Sequence, residues 1–359
     1  MNKVIQPIHV YCLLFLSVSF LAHFVLIPTI FTVVEREAWI SALASLIPIL
    51  LLALLIFRIT NKLNNASFFE RQSLQDNKPL YLFIVTSYSI YLISSTFVSL
   101  KLTIIWADEN FNSDYPYFIT VLLFILLCFY GSLKGIKTIA IQSLIICSLY
   151  IFLYVVLNLG NSMSNEYELI LPINTKNTSS ILWGILYICI GILEMGFILI
   201  VLNGYVKERI KRKGILIFAI LFVLLVFISI VTAISEFGIF LTTKMLFPIN
   251  EQWRVLSFGK YFTRMDSFSV LQILSMAFIR ICLFMYIISS FFKNRTFILF
   301  ICYLSLTIGL LIPWSVSDFL SFIKNGYLPI SFLFLICFFT FLYVLNLKVK
   351  GGKKIVRNE

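Results

Sequence analysis

Two ionisable side chains fall near the middle of long apolar segments of this sequence: Glu194 within 181–203, and Arg280 within 266–290. A charge at the centre of a membrane helix costs about 2.5–3.5 kcal/mol even on the gentler scales, so such residues usually face protein or water and serve a function. Two interpretations fit the pair. It is either an ion pair that fixes helix positions, or a site that holds the charged ends of an amino-acid-like ligand, with proton exchange at Glu194 as a variant. A buried ion pair is a poor source of stability by itself, which favours the second interpretation.

Small residues accompany both central regions. Glu194 lies between Gly191 and Gly196, and the middle of the first apolar segment carries Ser17, Ser19, Ala22 and His23. Interrupted membrane helices bind ligands through freed backbone groups, although glycine and serine also permit close helix packing. Aromatic and hydroxyl side chains within 80–106 form a possible wall of the same pocket. The predicted ligand-binding residues are Ser19, Ala22, His23, Tyr91, Ser95, Gly191, Glu194, Met195, Ser275 and Arg280.

The remaining reactive side chains have simpler interpretations. Lys101 lies in the outer part of its segment and is predicted to extend toward the outer surface. His23 either packs as a hydrogen-bonded residue or lines the pocket and titrates. The seven cysteines all fall in apolar segments without close spacing, so they are interpreted as small core residues, neither disulfides nor metal ligands.

Sequence motifs for catalysis are missing. The chain has no phosphate-binding Gly-Lys-Ser/Thr loop, no metalloprotease His-Glu pair and no serine nucleophile elbow. We therefore expect a protein that is not an enzyme and that needs no cofactor.

Ten apolar segments must position these residues. With 60% hydrophobic residues and only 12% charged, lipid must be the solvent for most of the chain. At about 1.5 Å per residue, most segments can cross a hydrocarbon core of about 30 Å, and helices alone satisfy their backbone within one segment. The sequence predicts an all-α integral membrane protein with spans at 8–33, 38–60, 80–106, 116–131, 138–160, 181–203, 215–240, 266–290, 296–316 and 327–347.

Charge alternates between the two sides of this arrangement. Alternate loops hold 19 of the 28 Lys and Arg residues but only four acids, the bias typical of cytoplasmic loops. Both termini are therefore predicted to be cytoplasmic, and the first segment is interpreted as a retained span, not a cleaved signal peptide. The basic cluster of 207–213 is interpreted as an anchor at an anionic lipid surface, so the net charge of +12 does not indicate nucleic acid.

The segments divide into two sets of five. An odd number in each half gives the halves opposite orientation, as in an inverted repeat. The first repeat is predicted at about 8–160 and the second at about 181–347, within a single transmembrane domain. In each half the longest connection follows the second span (61–79 and 241–265), and both could carry short surface helices.

Three stretches of this sequence resemble a known family. They are Ile5-Gln6-Pro7 onward to Pro28; Gly191-Ile192-Leu193-Glu194 with the basic loop Lys207 to Lys213; and Tyr261 to Phe268, with Arg264 and Asp266 before the eighth span. Together they resemble the B subunits of GerA-type nutrient germinant receptors of bacterial spores, in the amino acid–polyamine–organocation superfamily. Unlike many superfamily members, this chain has serine and histidine in place of glycine in its first span, and Leu193 precedes Glu194.

The resemblance implies a leucine-transporter-like 5+5 bundle in the spore inner membrane. It implies binding of a small nutrient, an amino acid or nucleoside, and partnership with an A subunit and a lipoprotein C subunit. Spans one, three, six and eight contact the ligand in the superfamily, and Glu194 and Arg280 lie on two of them. The alternative function is an ion-coupled secondary amino acid transporter.

Overall fold

The chain folds as a bundle of apolar helices. The computed structural model describes residues 3–63, 66–70, 77–111, 116–171, 178–257 and 265–348, and within these ranges no β-strand forms. Among the described residues, seven helical stretches are long and apolar enough to cross a membrane, and three shorter apolar helices complete the predicted ten. The predicted all-α membrane architecture is confirmed.

Span 1 comprises Pro7–Leu21, a π-helical turn at Ala22–Leu26, and Ile27–Val34. Span 2 comprises Ala38–Ala44 and Leu46–Asn61, and span 10 comprises Val316–Phe322, a second π-helical turn at Ile323–Tyr327, and Leu328–Lys348. Spans 3 to 9 are Lys78–Phe111, Tyr117–Leu133, Ile136–Asn161, Thr178–Leu202, Arg212–Thr242, Asp266–Ser290 and Arg295–Leu311.

Local sequence explains several of the helix ends. Pro116 precedes span 4, where its fixed φ suits a helix start, and Gly135 takes a φ of +88° in the tight turn between spans 4 and 5. Gly238 takes a φ of +71° and kinks span 7 near its outer end. The predicted start of span 10 at 327 was wrong, because the helix begins 11 residues earlier, at Val316.

Spans 1 and 6 are the most deeply buried and lie at the centre of the bundle. Span 1 packs against spans 5, 6 and 8, and span 6 packs against spans 1, 2 and 10. Spans 2, 3 and 4 pack against spans 7, 8 and 9 respectively. With the contact between spans 1 and 6, four spans of the first half therefore contact their counterparts five positions on. This pattern agrees with an inverted repeat, whose boundaries stay a prediction.

The long connection after span 7 carries the predicted surface helix, Pro248–Val255, here called the loop helix. Its Trp253 Nε1 donates to Gln272 Oε1 of span 8 at 2.9 Å, and its Asn250 Nδ2 donates to Asn110 Oδ1 of span 3 at 2.9 Å. Just before it, the Phe247 ring packs on Phe24 of span 1 with ring centroids 5.0 Å apart. These contacts hold the connection over the predicted outer end of the bundle.

Candidate functional site

Glu194 and Arg280 form a buried ion pair at the centre of the bundle. Their side chains are 0% and 1% exposed, and the carboxylate accepts two parallel hydrogen bonds from the guanidinium. Nη1 donates to Oε1 at 2.5 Å and Nη2 donates to Oε2 at 3.0 Å. This fork geometry is the strongest form of a charge-assisted hydrogen bond.

The guanidinium also donates hydrogen bonds to serine residues of spans 1 and 3. Nη1 also donates to the Ser17 carbonyl at 2.8 Å and to Ser17 Oγ at 3.0 Å. Nε donates to Ser99 Oγ at 2.9 Å, and Nη2 donates to Ser95 Oγ at 2.7 Å. The guanidinium carbon lies 4.5 Å from the ring centroid of Phe284, one turn further along span 8, which adds a cation–π contact.

The carboxylate is held equally well. Glu194 Oε2 accepts from the Tyr91 hydroxyl at 2.9 Å and from Ser95 Oγ at 3.3 Å. Ser95 Oγ in turn accepts from the Tyr327 hydroxyl at 3.0 Å, and Tyr327 ends the π-helical turn of span 10. One polar network, here called the central network, therefore joins spans 1, 3, 6, 8 and 10.

The structure brings together four of the ten predicted ligand-binding residues in this network: Tyr91, Ser95, Glu194 and Arg280. Sequence reasoning missed Ser99 and Tyr327. Ser95 and Ser99 are four residues apart and so share a helix face with Tyr91, a spacing that could have identified Ser99. No sequence signal indicated Tyr327, because its position depends on the early start of span 10.

The predicted ligand-binding residues of span 1 lie outside the central network. His23 Nε2 and the Tyr150 hydroxyl of span 5 are 2.8 Å apart, and both side chains are buried. Ser19 and Ala22 are also buried, with Ala22 at the start of the π-helical turn. His23 therefore matches the packed, hydrogen-bonded interpretation and makes no contact with the central ion pair.

Span 6 is a continuous α-helix, so of the two interpretations of its glycines the structure fits close packing and not an interrupted helix. A Cβ at Gly191 would lie 2.3 Å from the Phe222 ring of span 7, and one at Gly196 would lie 2.6 Å from Ile56 of span 2. Both glycines therefore allow close helix approach. Met195 is fully buried beside Glu194, whereas Ser275 is half-buried and donates to the Leu271 carbonyl of its own helix.

Two further predictions need correction. Lys101 does not extend to the surface: it is 5% exposed, and Nζ donates to the Tyr117 hydroxyl at 3.1 Å and to the Leu310 carbonyl at 3.4 Å. Leu310 lies in the last turn of span 9, where unpaired carbonyls and the helix dipole attract a cation. Of the seven cysteines, all free, Cys302 is half-buried and Cys337 is exposed, so these two are not core residues.

A vestibule of about 380 Å³ opens on the predicted outer side of the bundle. It lies between the outer half of span 1, residues 243–246 and the start of span 10. Lys324 Nζ donates to the Thr32 carbonyl at 3.4 Å and so bridges spans 10 and 1. The vestibule is lined by Phe24, Pro28, Thr29, Thr32, Thr243, Lys244, Met245, Leu246, Leu320, Ser321, Ile323, Lys324 and Asn325.

The sequence is similar to known spore germination proteins. Residues 7–313 match the family model described as spore germination protein. The chain is similar to Spore germination protein XB of Bacillus anthracis, with 28% identity over 341 residues, which cover 91% of this chain and 94% of that protein. In the third stretch of the family resemblance, Tyr261 to Arg264 lie outside the described residues, while Asp266 begins span 8.

Proposed function

The chain belongs to the spore germination protein family, and on that premise we propose that it is the transporter-like membrane subunit of a nutrient germinant receptor. It is a multi-pass membrane protein and a permease-like germination protein. In the proposal it resides in the spore inner membrane and binds a small nutrient, an amino acid or nucleoside. It triggers germination together with an A-type subunit and a lipoprotein C-type subunit. Its role is binding and signalling, without a catalytic step.

The observation that carries the proposal is the central network. Glu194 and Arg280 pair with each other and link five spans, so in the proposal their ion pair stabilises the ligand-free conformation. We call this ion pair the latch. An amino-acid-like nutrient carries both charge signs and so competes for both residues. A ligand shifts a conformational equilibrium only through its different affinity for the two states, and competition for this ion pair supplies that difference.

The vestibule supports a small ligand. Its volume of about 380 Å³ falls within the range of about 300–1,000 Å³ typical of small-molecule sites. Its lining combines six apolar residues with seven polar ones, among them Thr29, Lys324 and Asn325. Lys324 is a suitable first contact for a carboxylate, and binding there would release the Thr32 carbonyl and loosen the bridge between spans 1 and 10.

The two regions are connected through span 10. Lys324 and Tyr327 belong to the same π-helical turn, and Tyr327 donates to Ser95, which contacts both charges of the ion pair. Single π-helical turns occur frequently at functional sites. Movement of this turn on ligand binding would therefore reach Glu194 and Arg280 through Tyr327 and Ser95.

The first test is ligand-dependent thermal stabilisation of the purified full-length protein, measured against a panel of amino acids and nucleosides. A ligand at a hundredfold excess over its Kd stabilises the folded state by about 2.7 kcal/mol. We expect one nutrient class to stabilise the natural protein and not the Lys324→Gln variant. Lys293→Gln, on an exposed residue of the opposite side, is the matched control and should respond like the natural protein. Stabilisation that is identical in both variants would remove the vestibule from the proposal.

The alternative is an ion-coupled secondary transporter. Its support is the position of Glu194, a buried carboxylate at the centre of a permease-like bundle. Proteoliposomes that contain this chain alone separate the two functions. Gradient-driven uptake of the stabilising nutrient would favour the transporter, and binding without uptake would favour the receptor subunit.

A further inference from the structure

A second cavity, of about 480 Å³, lies between spans 1, 5 and 7, away from the vestibule and the central network. We call it the lateral groove. The rim of the groove that faces away from the bundle consists of Ile151, Ile217 and Leu221, which are 48%, 57% and 49% exposed. In a membrane protein these side chains face hydrocarbon, so the groove opens sideways to the bilayer. The groove is lined by Ile8, Tyr11, Cys12, Phe15, Cys147, Tyr150, Ile151, Tyr154, Gly214, Ile217, Phe218, Leu221, Leu224, Leu225 and Ile228.

The hydroxyls of Tyr150 and Tyr154 in the groove wall already have partners inside the protein. The Tyr150 hydroxyl lies 2.8 Å from His23 Nε2. The Tyr154 hydroxyl lies 2.8 Å from Ser229 Oγ and donates to the Leu225 carbonyl at 3.2 Å. The groove therefore presents aromatic and aliphatic carbon to its occupant, which suits a hydrocarbon chain and not a polar nutrient.

One end of the groove meets the strongest positive charge in the described part of the chain. Gly214 lines the groove and directly follows Lys211, Arg212 and Lys213, all exposed. The same loop adds Lys207 and Arg209, against a single acid, Glu208. Anionic lipid headgroups attract such clusters by about 1 kcal/mol per basic residue.

Backbone hydrogen bonds fix this loop beside the start of span 1. The Val4 and Ile5 amides donate to the Tyr205 carbonyl at 2.9 and 3.2 Å, and the Lys207 amide donates to the Ile5 carbonyl at 2.9 Å. Ile8 and Tyr11, one and two turns further on, line the same end of the groove. The basic loop is therefore held at the mouth of the groove.

The dimensions fit one lipid leaflet. The lining residues of span 7 run from Gly214 to Ile228, which is about 21 Å along a helix at about 1.5 Å per residue. Half of a hydrocarbon core of about 30 Å is about 15 Å. An acyl chain that enters at the basic loop can thus lie in the groove across its whole leaflet.

We propose that the lateral groove is a binding site for one anionic phospholipid. The headgroup phosphate contacts Lys211, Arg212 and Lys213, and one acyl chain lies between spans 1, 5 and 7. Because span 1 forms one wall and also carries Ser17 of the central network, the lipid would brace the span that contacts Arg280. The inference is independent of the proposed nutrient.

The test is native mass spectrometry of the full-length protein in detergent, titrated with phosphatidylglycerol or with phosphatidylcholine of the same acyl chains. Leu221→Trp and Leu224→Trp fill the groove from exposed positions, so they remove no buried packing. Leu123→Trp, on an exposed face of span 4, is their control. A triple change of Lys211, Arg212 and Lys213 to Gln removes the headgroup contacts. The same change at Lys134, Lys137 and Lys293 removes equal charge elsewhere.

We expect one phosphatidylglycerol to bind at least about tenfold more tightly than phosphatidylcholine, with that preference lost in the basic-loop variant. The two filling variants should weaken both lipids, and both controls should bind like the natural protein. Equal affinity for the two lipids, or unchanged binding in the filling variants, would overturn the proposal. It would also be overturned if the filling variants kept lipid binding but lost co-purifying protein subunits, since the groove would then be a protein interface.

Discussion

Removing Arg280 alone should lower the free energy of unfolding far more than replacing both residues of the ion pair. In Arg280→Met the Glu194 carboxylate keeps only the hydroxyls of Tyr91 and Ser95 and stays fully buried. An uncompensated buried charge costs about 3–5 kcal/mol, which is roughly a 10²- to 10⁴-fold change in the folding equilibrium. Glu194→Leu leaves the guanidinium unpaired and should cost a similar amount.

The double variant reverses this expectation. With Leu at 194 and Met at 280, no charge remains in the centre, and apolar replacement of a buried ion pair is often neutral or stabilising by about 1–4 kcal/mol. The double variant should therefore be more stable than either single variant. The measurement is the unfolding midpoint of the four proteins in the same detergent, at fixed protein and lipid concentration.

The matched control is the partly exposed pair Arg254–Glu251 of the loop helix, in which Nη1 and Oε1 are 3.2 Å apart. Exposed pairs contribute about 0–1 kcal/mol, so Arg254→Met and Glu251→Leu should have small effects. If the effects of Arg280→Met and Glu194→Leu simply add in the double variant, the two residues do not interact as described. The latch would then be refuted.

Three further predictions concern helix packing and one buried hydrogen bond. Gly191→Ala should lower the unfolding midpoint by an amount that corresponds to about 1–3 kcal/mol, because its Cβ would lie 2.3 Å from the Phe222 ring. Gly326→Ala, whose Cβ would meet Phe322 at 3.3 Å, should cost clearly less in the same assay, and equal losses would contradict the geometry. Tyr150→Phe should cost about 1–3 kcal/mol of stability by leaving His23 unpaired, with the nutrient dose–response unchanged; a shifted dose–response would bring His23 into the ligand site.

Hydropathy and charge were sufficient to predict the architecture. Ten apolar segments, their loop charges and one central acid and base led to the bundle and to the pairing of Glu194 with Arg280. The central position of these two residues could be predicted because a charged side chain is costly in lipid and therefore faces protein or water. Tyr91 and Ser95 were predicted because aromatic and hydroxyl side chains cluster within 80–106.

The errors have a common physical cause, since they depend on three-dimensional packing that periodicity does not encode. The glycines near Glu194 fitted either an unwound helix or close packing in the sequence, and only the packing shows that they accommodate Phe222 and Ile56. Lys101 satisfies its charge on the carbonyl end of span 9, and no hydropathy profile indicates which helix end a lysine will meet. Tyr327 lies inside span 10, because that span begins at Val316 and includes residues 317–326, which fall between two of the predicted spans. This position brings Tyr327 into the central network.

The most direct test of the nutrient-sensing function is germination of spores whose only copy of this subunit carries Glu194→Gln or Arg280→Lys. The quantity to measure is the nutrient dose–response, with the levels of this protein and its partner subunits determined in the same spores. The latch model predicts a shifted dose–response at normal protein levels, because both variants change competition between ligand and ion pair. An unchanged dose–response at normal levels would contradict it, as would a loss of response explained entirely by loss of the protein.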